Sequence, residues 1–383
     1  MARREKQTIE IEKTHRNPLP SFHQAVTPNY SDFLGTALGS YIKYEKSPLA
    51  VGAGSAGTGP HKESHINIGD QLDHYRIDSV VARGNVATVY RGTDPRTGRP
   101  VALKIPHPDM EGDQEFFERF EREQEIGKTL DHPGVMKVIA DDHRTGKYMV
   151  MEWVDGKLLS QMLKEEKKLS PERAVKIAIG IAHALGYIHN HGIVHRSLNP
   201  KHIMVDAQDH VKLIHFGVAA KTGARRITFT KLPAGMDAPQ YVSPEQVAGK
   251  RDDARSDLYA LGVILYEMVT GQSPFRGSDA FSILNDRLMN HPAPPREIDP
   301  AISPQLQEVI YRAMEREAQN RYANAHDFAA DLEHLDKVGI ADRCELRDWK
   351  KPRTPATRKV LLYFAVILVP LLIFALLLYF SRR

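Results

Sequence analysis

Residues 170–192 read SPERAVKIAIGIAHALGYIHNHG, and their pattern divides the chain into a strand-rich stretch before them and a helix-rich stretch from them onward. Ser170 is a good N-cap, and Pro171 suits the first helical position, where a missing N–H costs nothing. Ala174, Ala178, Ile181, Leu185 and Ile188 then recur at three- and four-residue spacing on one face, and Gly192 ends the run. Downstream, residues 257–271, DLYALGVILYEMVTG, are apolar nearly all round, which predicts a helix at the centre of its lobe. Upstream, YRIDSVVARG (75–84), ATVYRGTD (87–94) and PVALKIP (100–106) are short β-rich runs bounded by turn residues, implying a small antiparallel sheet. Residues 113–130, DQEFFERFEREQEIGKTL, set Phe116, Phe117 and Phe120 at helical spacing, and KVIADDHRTGKYMVMEWV (137–154) reads as two more strands. A small sheet lobe followed by a larger helical lobe is an α+β, bilobal architecture with a cleft between the lobes.

The composition is that of an ordinary globular protein. Of 383 residues, 42% are hydrophobic and 26% charged, with 52 Lys plus Arg against 48 Asp plus Glu, a formal charge of +4. So weak a surplus, with no basic stripe or aromatic groove, argues against nucleic acid as a partner. Cys344 is the only cysteine, so neither an intramolecular disulfide nor a cysteine-based zinc or iron–sulfur site can form. The opening MARREKQTIE lacks the apolar run of a signal peptide. Residues 1–70 are rich in Pro, Ser, Gly and Thr and read as mostly disordered, with VGAGSAGTGP (51–60) as a flexible linker. Residues 360–380 are 21 uncharged, overwhelmingly apolar residues, the length of a transmembrane helix. A basic juxtamembrane linker, 336–359, precedes them with Lys350, Lys351, Arg353, Arg358 and Lys359, and a short tail, 381–383, follows. The positive-inside rule then places the bulk of the chain in the cytoplasm, anchored by its C-terminal span.

On this frame sit motifs whose order and spacing carry a specific resemblance. VALKI contains Lys104, Glu123 stands nine residues before the HP of LDHPGV, and VMEWV spans residues 150–154. HRSLNPKH (195–202), HFG (215–217), SPE (243–245), DLYALG from Asp257, and Arg321 in QNRYA follow in order. Residues 71–335 thereby resemble a protein-kinase domain, similar to the eukaryotic-like Ser/Thr kinases of bacteria. The resemblance implies that Lys104 and Glu123 form the ion pair that holds ATP phosphates. It implies a nucleotide pocket of Gly84, Val89, Ala102, Lys104, Glu123, Met151, Glu152, Val154 and Met204, with Met151 as gatekeeper. It makes Glu245, Asp257 and Arg321 braces of the helical lobe, and places His195 against Phe216.

Departures from the family pattern cluster where phosphate would be transferred. Ser197 replaces the aspartate that serves as base, Asn199 the phosphate-contacting lysine, and His202 the metal-binding asparagine. His215 replaces the metal-binding aspartate of D-F-G, Ala238 removes the hydroxyl of the substrate-side loop, and Ala82 and Ala87 replace two glycines of the phosphate loop. A positioned base is worth about 10²- to 10⁴-fold and metal charge stabilisation several kcal/mol. Serine is no base at neutral pH, and magnesium prefers oxygen to imidazole nitrogen. The chain therefore reads as a membrane-anchored pseudokinase, a scaffold or allosteric regulator of cytoplasmic signalling proteins, with ATP bound without the usual magnesium and no metal site. The alternative is an active Ser/Thr kinase with an atypical metal or catalytic site, for which Asp206 and Asp209 are the nearest substitute carboxylates in sequence. A third reading is a nucleotide or small-ligand sensor that does not transfer phosphate. Thr228 and Thr230, beside Arg225 and Arg226, offer an activation-loop target for a partner kinase, with Arg196 as receiver of the phosphate. The resemblance places the span in a bacterial inner membrane.

Overall fold

A computed structural model describes residues 66–110, 112–139, 144–221, 238–250 and 252–343. The strand-rich part forms a five-stranded antiparallel sheet in the order β1-β2-β3-β4-β5, with β1 Gln71–Leu72, β2 Tyr75–Arg83, β3 Ala87–Asp94, β4 Arg99–Pro106 and β5 Met149–Glu152. Side chains alternate across a strand, and β4 uses both faces. Val101, Leu103 and Ile105 enter a core with Tyr75, Ile77, Tyr90, Tyr148 and Val150, while Ala102 turns to the opposite cluster with Phe120, Met149 and Met151. Lys104, in step with Ala102, reaches the helix on that second face. This helix, α1 (Gln114–Thr129), starts where Asp113 accepts a hydrogen bond from Phe116 N at 2.9 Å. It packs so closely that a Cβ on Gly127 would lie 2.2 Å from Val138 Cγ2.

The helical part follows β6 (Gly156–Leu158) with α2 (Leu159–Glu166) and α3 (Pro171–Asn190). Ser170 caps α3 by accepting from Arg173 N, and Ala174, Ala178, Ile181, Leu185 and Ile188 are all fully buried, as their spacing predicts. After α4 (Pro244–Val247), α5 (Arg255–Thr270) lies at the lobe centre, with buried side chains on every face and Gly271 closing it in the left-handed conformation, φ 69°. Helices α6 (Ala280–Met289), α7 (Pro295–Ile298), α8 (Pro304–Ala313) and α9 (Ala325–Glu333) complete the lobe. Three short strand pairs carry the loops of the cleft: β7 (Ile193–Val194) pairs with β10 (Ala220–Lys221), and β8 (Ile203–Asp206) sits between β6 and β9 (Val211–Leu213).

One sequence expectation is modified: among the described residues of 137–154 there is one strand, β5, where two are expected. The earlier segment shares its backbone among several partners: Met136 N donates to Leu213 O and Val138 N to Gly127 O, while Ile139 N donates to Val150 O and Lys137 O accepts from Glu152 N of β5. Residues flanking 71–335 also make contacts. Ile66 packs on the sheet core, and Arg343 inserts between Glu308 and Glu315, with Nη2–Oε1 and Nη1–Oε1 distances of 2.7 and 2.6 Å. Among the described residues no helix is long and apolar enough to cross a membrane. The expected span at 360–380 lies outside the described residues, as do Thr228 and Thr230.

Candidate functional site

The loops that carry the sequence motifs meet between the two parts. Lys104 Nζ donates to Glu123 Oε2 at 2.7 Å, so sheet and α1 are joined by the expected ion pair. Burial would raise the Glu123 pKa, but the charges of Lys104 and His215 outweigh it and hold the carboxyl below its usual range. His215 Nδ1 stands 3.7 Å from the same oxygen. Nothing in the sequence signals this contact, because it arises from the backbone: His215 has φ 69°, a left-handed geometry that histidine adopts more readily than most residues. Its side chain is 39% exposed.

The expected apolar pocket residues share one cluster. Ala102 and Met151 are buried in it, and Val89, Val154 and Met204 pack against it, with Trp153 and Ile214 as lining that sequence reasoning did not pick out. Arg91 lies over the Trp153 ring at 5.0 Å, which turns the indole into part of the wall. The hinge backbone is partly engaged: Glu152 N donates to Lys137 O at 3.0 Å, and Val154 O accepts from Gly156 N at 3.1 Å. The Glu152 carboxylate accepts from Lys137 N at 2.9 Å and Lys212 Nζ at 2.7 Å, so that side chain is spent on the strand end. Gly84 lies at the β2–β3 turn, where its N–H donates to Ala87 O at 3.0 Å and a Cβ would crowd the same oxygen at 3.1 Å.

The loop between β7 and β8 is held by its own hydrogen bonds. Asp257, at the start of α5, accepts from His195 N at 2.8 Å, Arg196 N at 2.9 Å and His189 Nε2 at 2.9 Å. Asn199, buried at the lysine position, accepts from Lys201 N at 2.9 Å and donates to Ser197 O at 2.9 Å; it caps the 3-10 turn Pro200–His202 instead of facing the cleft. His202 Nδ1 lies 2.7 Å from Ser197 O, which makes it the donor and fixes the tautomer. Burial, with His215 and His195 nearby, holds the His202 pKa well below the ordinary range, so this imidazole is neutral. Its ring stacks between those two histidines, at centroid distances of 6.0 Å to His195 and 4.4 Å to His215. His195 in turn packs on Phe216 at 5.2 Å.

These side chains do not suit magnesium. The donor set at the two ligand positions is imidazole, and the neighbouring Ser197 and Asn199 supply no carboxylate. Among the described residues no group of three or more His, Cys, Asp or Glu is placed to hold a metal ion. The apolar cluster with Lys104 at its edge has the residue types that could hold a flat base and an anionic tail. Asp206 and Asp209 offer no substitute base, because Asp206 ends β8 bound to His210 Nδ1 at 2.9 Å and Asp209 lies in the turn after it bound to Arg173 Nε at 2.9 Å.

The substrate-side bracing is intact. Arg321, fully buried, donates to both oxygens of Glu245 at 2.7 Å, and Ser256 Oγ donates to Glu245 Oε1 at 2.6 Å. Ala238 precedes the 3-10 turn Pro239–Tyr241 and supplies no side-chain cap. Arg196, the expected phosphate receiver, is paired with Asp252, and Gln246 Nε2 donates to its carbonyl at 2.9 Å. Neither partner was anticipated, since their contact depends on how α4 and the following loop pack.

Residues 75–332 match the protein kinase domain family. The chain belongs to the protein kinase family. This protein kinase chain is 37% identical over 264 residues to a probable serine/threonine-protein kinase of Streptomyces coelicolor, covering 68% of this chain and 39% of that one. It is 34% identical over 269 residues to the serine/threonine-protein kinase PknB of Mycobacterium tuberculosis, covering 68% of this chain and 42% of PknB. The chain thus spans less than half the length of these curated relatives. The crystal structure of the Mycobacterium tuberculosis PknI kinase domain matches with a TM-score of 0.54 and 25% identity, covering 70% of this chain and 99% of that domain. The bilobal α+β kinase fold is therefore shared with bacterial Ser/Thr kinases.

Proposed function

We propose that this kinase-family chain is a pseudokinase: it binds a nucleotide between its lobes and acts as a scaffold or allosteric regulator of signalling proteins, without efficient phosphoryl transfer. One observation carries the reading. At the positions where the family keeps its base and metal ligands, this chain has Ser197, His202 and His215, and His202 and Asn199 are tied into hydrogen bonds within their own loop. The lobe-joining pair Lys104–Glu123 and the brace Glu245–Arg321 persist beside them. Kinase catalysis consists largely of positioning and charge stabilisation, and this arrangement keeps the first and lacks the second. Lys104 and the cluster of Val89, Ala102, Met151, Val154 and Met204 would hold ATP or ADP, with Gly84 allowing the backbone near the phosphates. Anchoring by residues 360–380 and a cytoplasmic placement of the kinase domain rest on the sequence pattern.

A second reading, an active Ser/Thr kinase with an atypical site, is favoured by the names of the relatives, which are serine/threonine-protein kinases. ADP release from ATP, measured with magnesium and with manganese, separates the two. The first reading expects release no faster than that of the Lys104→Met variant; release well above it supports the second. Melting of the protein with added ATP tests the nucleotide pocket itself, because a ligand bound only to the folded state raises the transition.

A further inference from the structure

The charge of the Lys104–Glu123–His215 cluster points to an anion site. Two nitrogen groups converge on one carboxylate oxygen: Lys104 Nζ at 2.7 Å and His215 Nδ1 at 3.7 Å from Glu123 Oε2. With the aspartate that the family carries at position 215, the same cluster would hold one cation and two carboxylates, a net charge of −1 that attracts a divalent cation. Histidine changes the sum. Lys104, Glu123 and His215 total zero when the imidazole is neutral and +1 when it is protonated, and in neither state is there a carboxylate surplus. The second metal position does not restore one, because His202 is an imidazole that packs against His215 and directs its Nδ1–H to Ser197 O. The one remaining carboxylate, Glu123, is buried and already shared by both nitrogens.

We infer that the cleft selects a nucleoside polyphosphate free of metal, with His215 as a phosphate-facing group in place of the aspartate–magnesium unit, and that magnesium antagonises binding. This rests on the nucleotide-pocket reading above. A side chain 39% exposed beside Lys104 is accessible to a phosphate oxygen, and a cluster of zero or positive charge favours the tetra-anion of free ATP over its doubly charged magnesium complex. In the family arrangement the order is reversed, since two carboxylates repel the bare anion.

The test is titration of the full chain in detergent with ATP, first in a chelator and then with magnesium in excess over nucleotide, followed by heat release or a fluorescent competitor. The expected dissociation constant is about tenfold weaker with magnesium. The variant H215D should invert the order, binding more weakly than wild type in chelator and more tightly with magnesium than without. H215Q, which keeps the volume and removes the cation-forming group, should lose several-fold in chelator and show a smaller magnesium effect. Tighter wild-type binding with magnesium, or an unchanged order in H215D, overturns the inference and leaves the nucleotide pocket standing. Absence of binding in both conditions, with the melting transition intact, removes the pocket reading and the inference together.

Discussion

Replacing Arg321 by methionine should cost the folded state about 3–5 kcal/mol. The estimate follows from what the side chain leaves behind. Arg321 is fully buried and donates two 2.7 Å bonds to Glu245; it also donates to the carbonyls of Glu315 at 2.7 Å, Arg316 at 2.9 Å and Arg255 at 3.2 Å. Its guanidinium lies 4.8 Å above the Tyr259 ring. Methionine fills much of the volume but strands the Glu245 carboxylate with Ser256 Oγ as its remaining side-chain donor. Burial, which raises the pKa of that carboxyl, then loses its main opposition, the charge and hydrogen bonds of Arg321. At about 2–4 °C per kcal/mol for a domain of this size, melting should fall by roughly 6–20 °C. Urea unfolding followed by circular dichroism measures the loss directly. The double variant with Glu245→Gln should be less destabilised than the sum of the two single variants, because the stranded charge is gone. A single-variant loss under about 1 kcal/mol, or strict additivity in the double variant, would refute the reasoning.

Three further expectations concern the cleft and its edges. His195 and His202 have pKa values pushed down, both chiefly by burial. The unfolded imidazoles, at about 6.5, therefore take up protons at higher pH than the folded ones, so stability is full above that value and falls with acidification by up to about 1.4 kcal/mol per pH unit per histidine. Urea midpoints at pH 7.5 and 5.5 should show this slope, and His202→Asn should reduce it; an unchanged slope counts against the assignment. Lys104→Met should abolish the rise in melting temperature produced by ATP, a rise worth about 2.7 kcal/mol when ligand is at a hundred times its dissociation constant. Arg343→Ala should destabilise by about 2–3 kcal/mol, since it breaks charged hydrogen bonds to Glu308 and Glu315. Truncation after residue 340 should match Arg343→Ala, and a neutral result would mean that this contact contributes nothing to the fold.

The fold was legible because its elements are marked by strong local signals. Ser170 and Pro171 start α3, the apolar face from Ala174 to Ile188 is uninterrupted, and α5 is buried on every side. Alternation along β4 places Ala102 and Lys104 on the face that α1 covers, so the Lys104–Glu123 pair followed from motif and spacing. The segment before β5 is β-rich in composition and predicts a full strand, whereas its described residues divide their backbone bonds between Gly127 and β5. That division depends on which loops pass nearby, and composition does not encode it. The site was legible in its residue types but not in its hydrogen bonding. Replacement of the base and metal ligands could be read directly, yet the packing of His195, His202 and His215 and the convergence on Glu123 Oε2 need two loops and α1 to meet, and the cap made by Asn199 needs its loop's own turn. The Arg343 contact was invisible for the same reason, since a lone arginine in a basic linker has no periodicity to mark it.

Phosphate incorporation tests the central claim most directly. The protein is incubated with ATP, magnesium or manganese and a generic Ser/Thr substrate, and phosphoserine and phosphothreonine are quantified by mass spectrometry beside the Lys104→Met variant. The account predicts no incorporation above that variant, on the protein itself or on the substrate. Incorporation by the wild-type chain that Lys104→Met abolishes would contradict it.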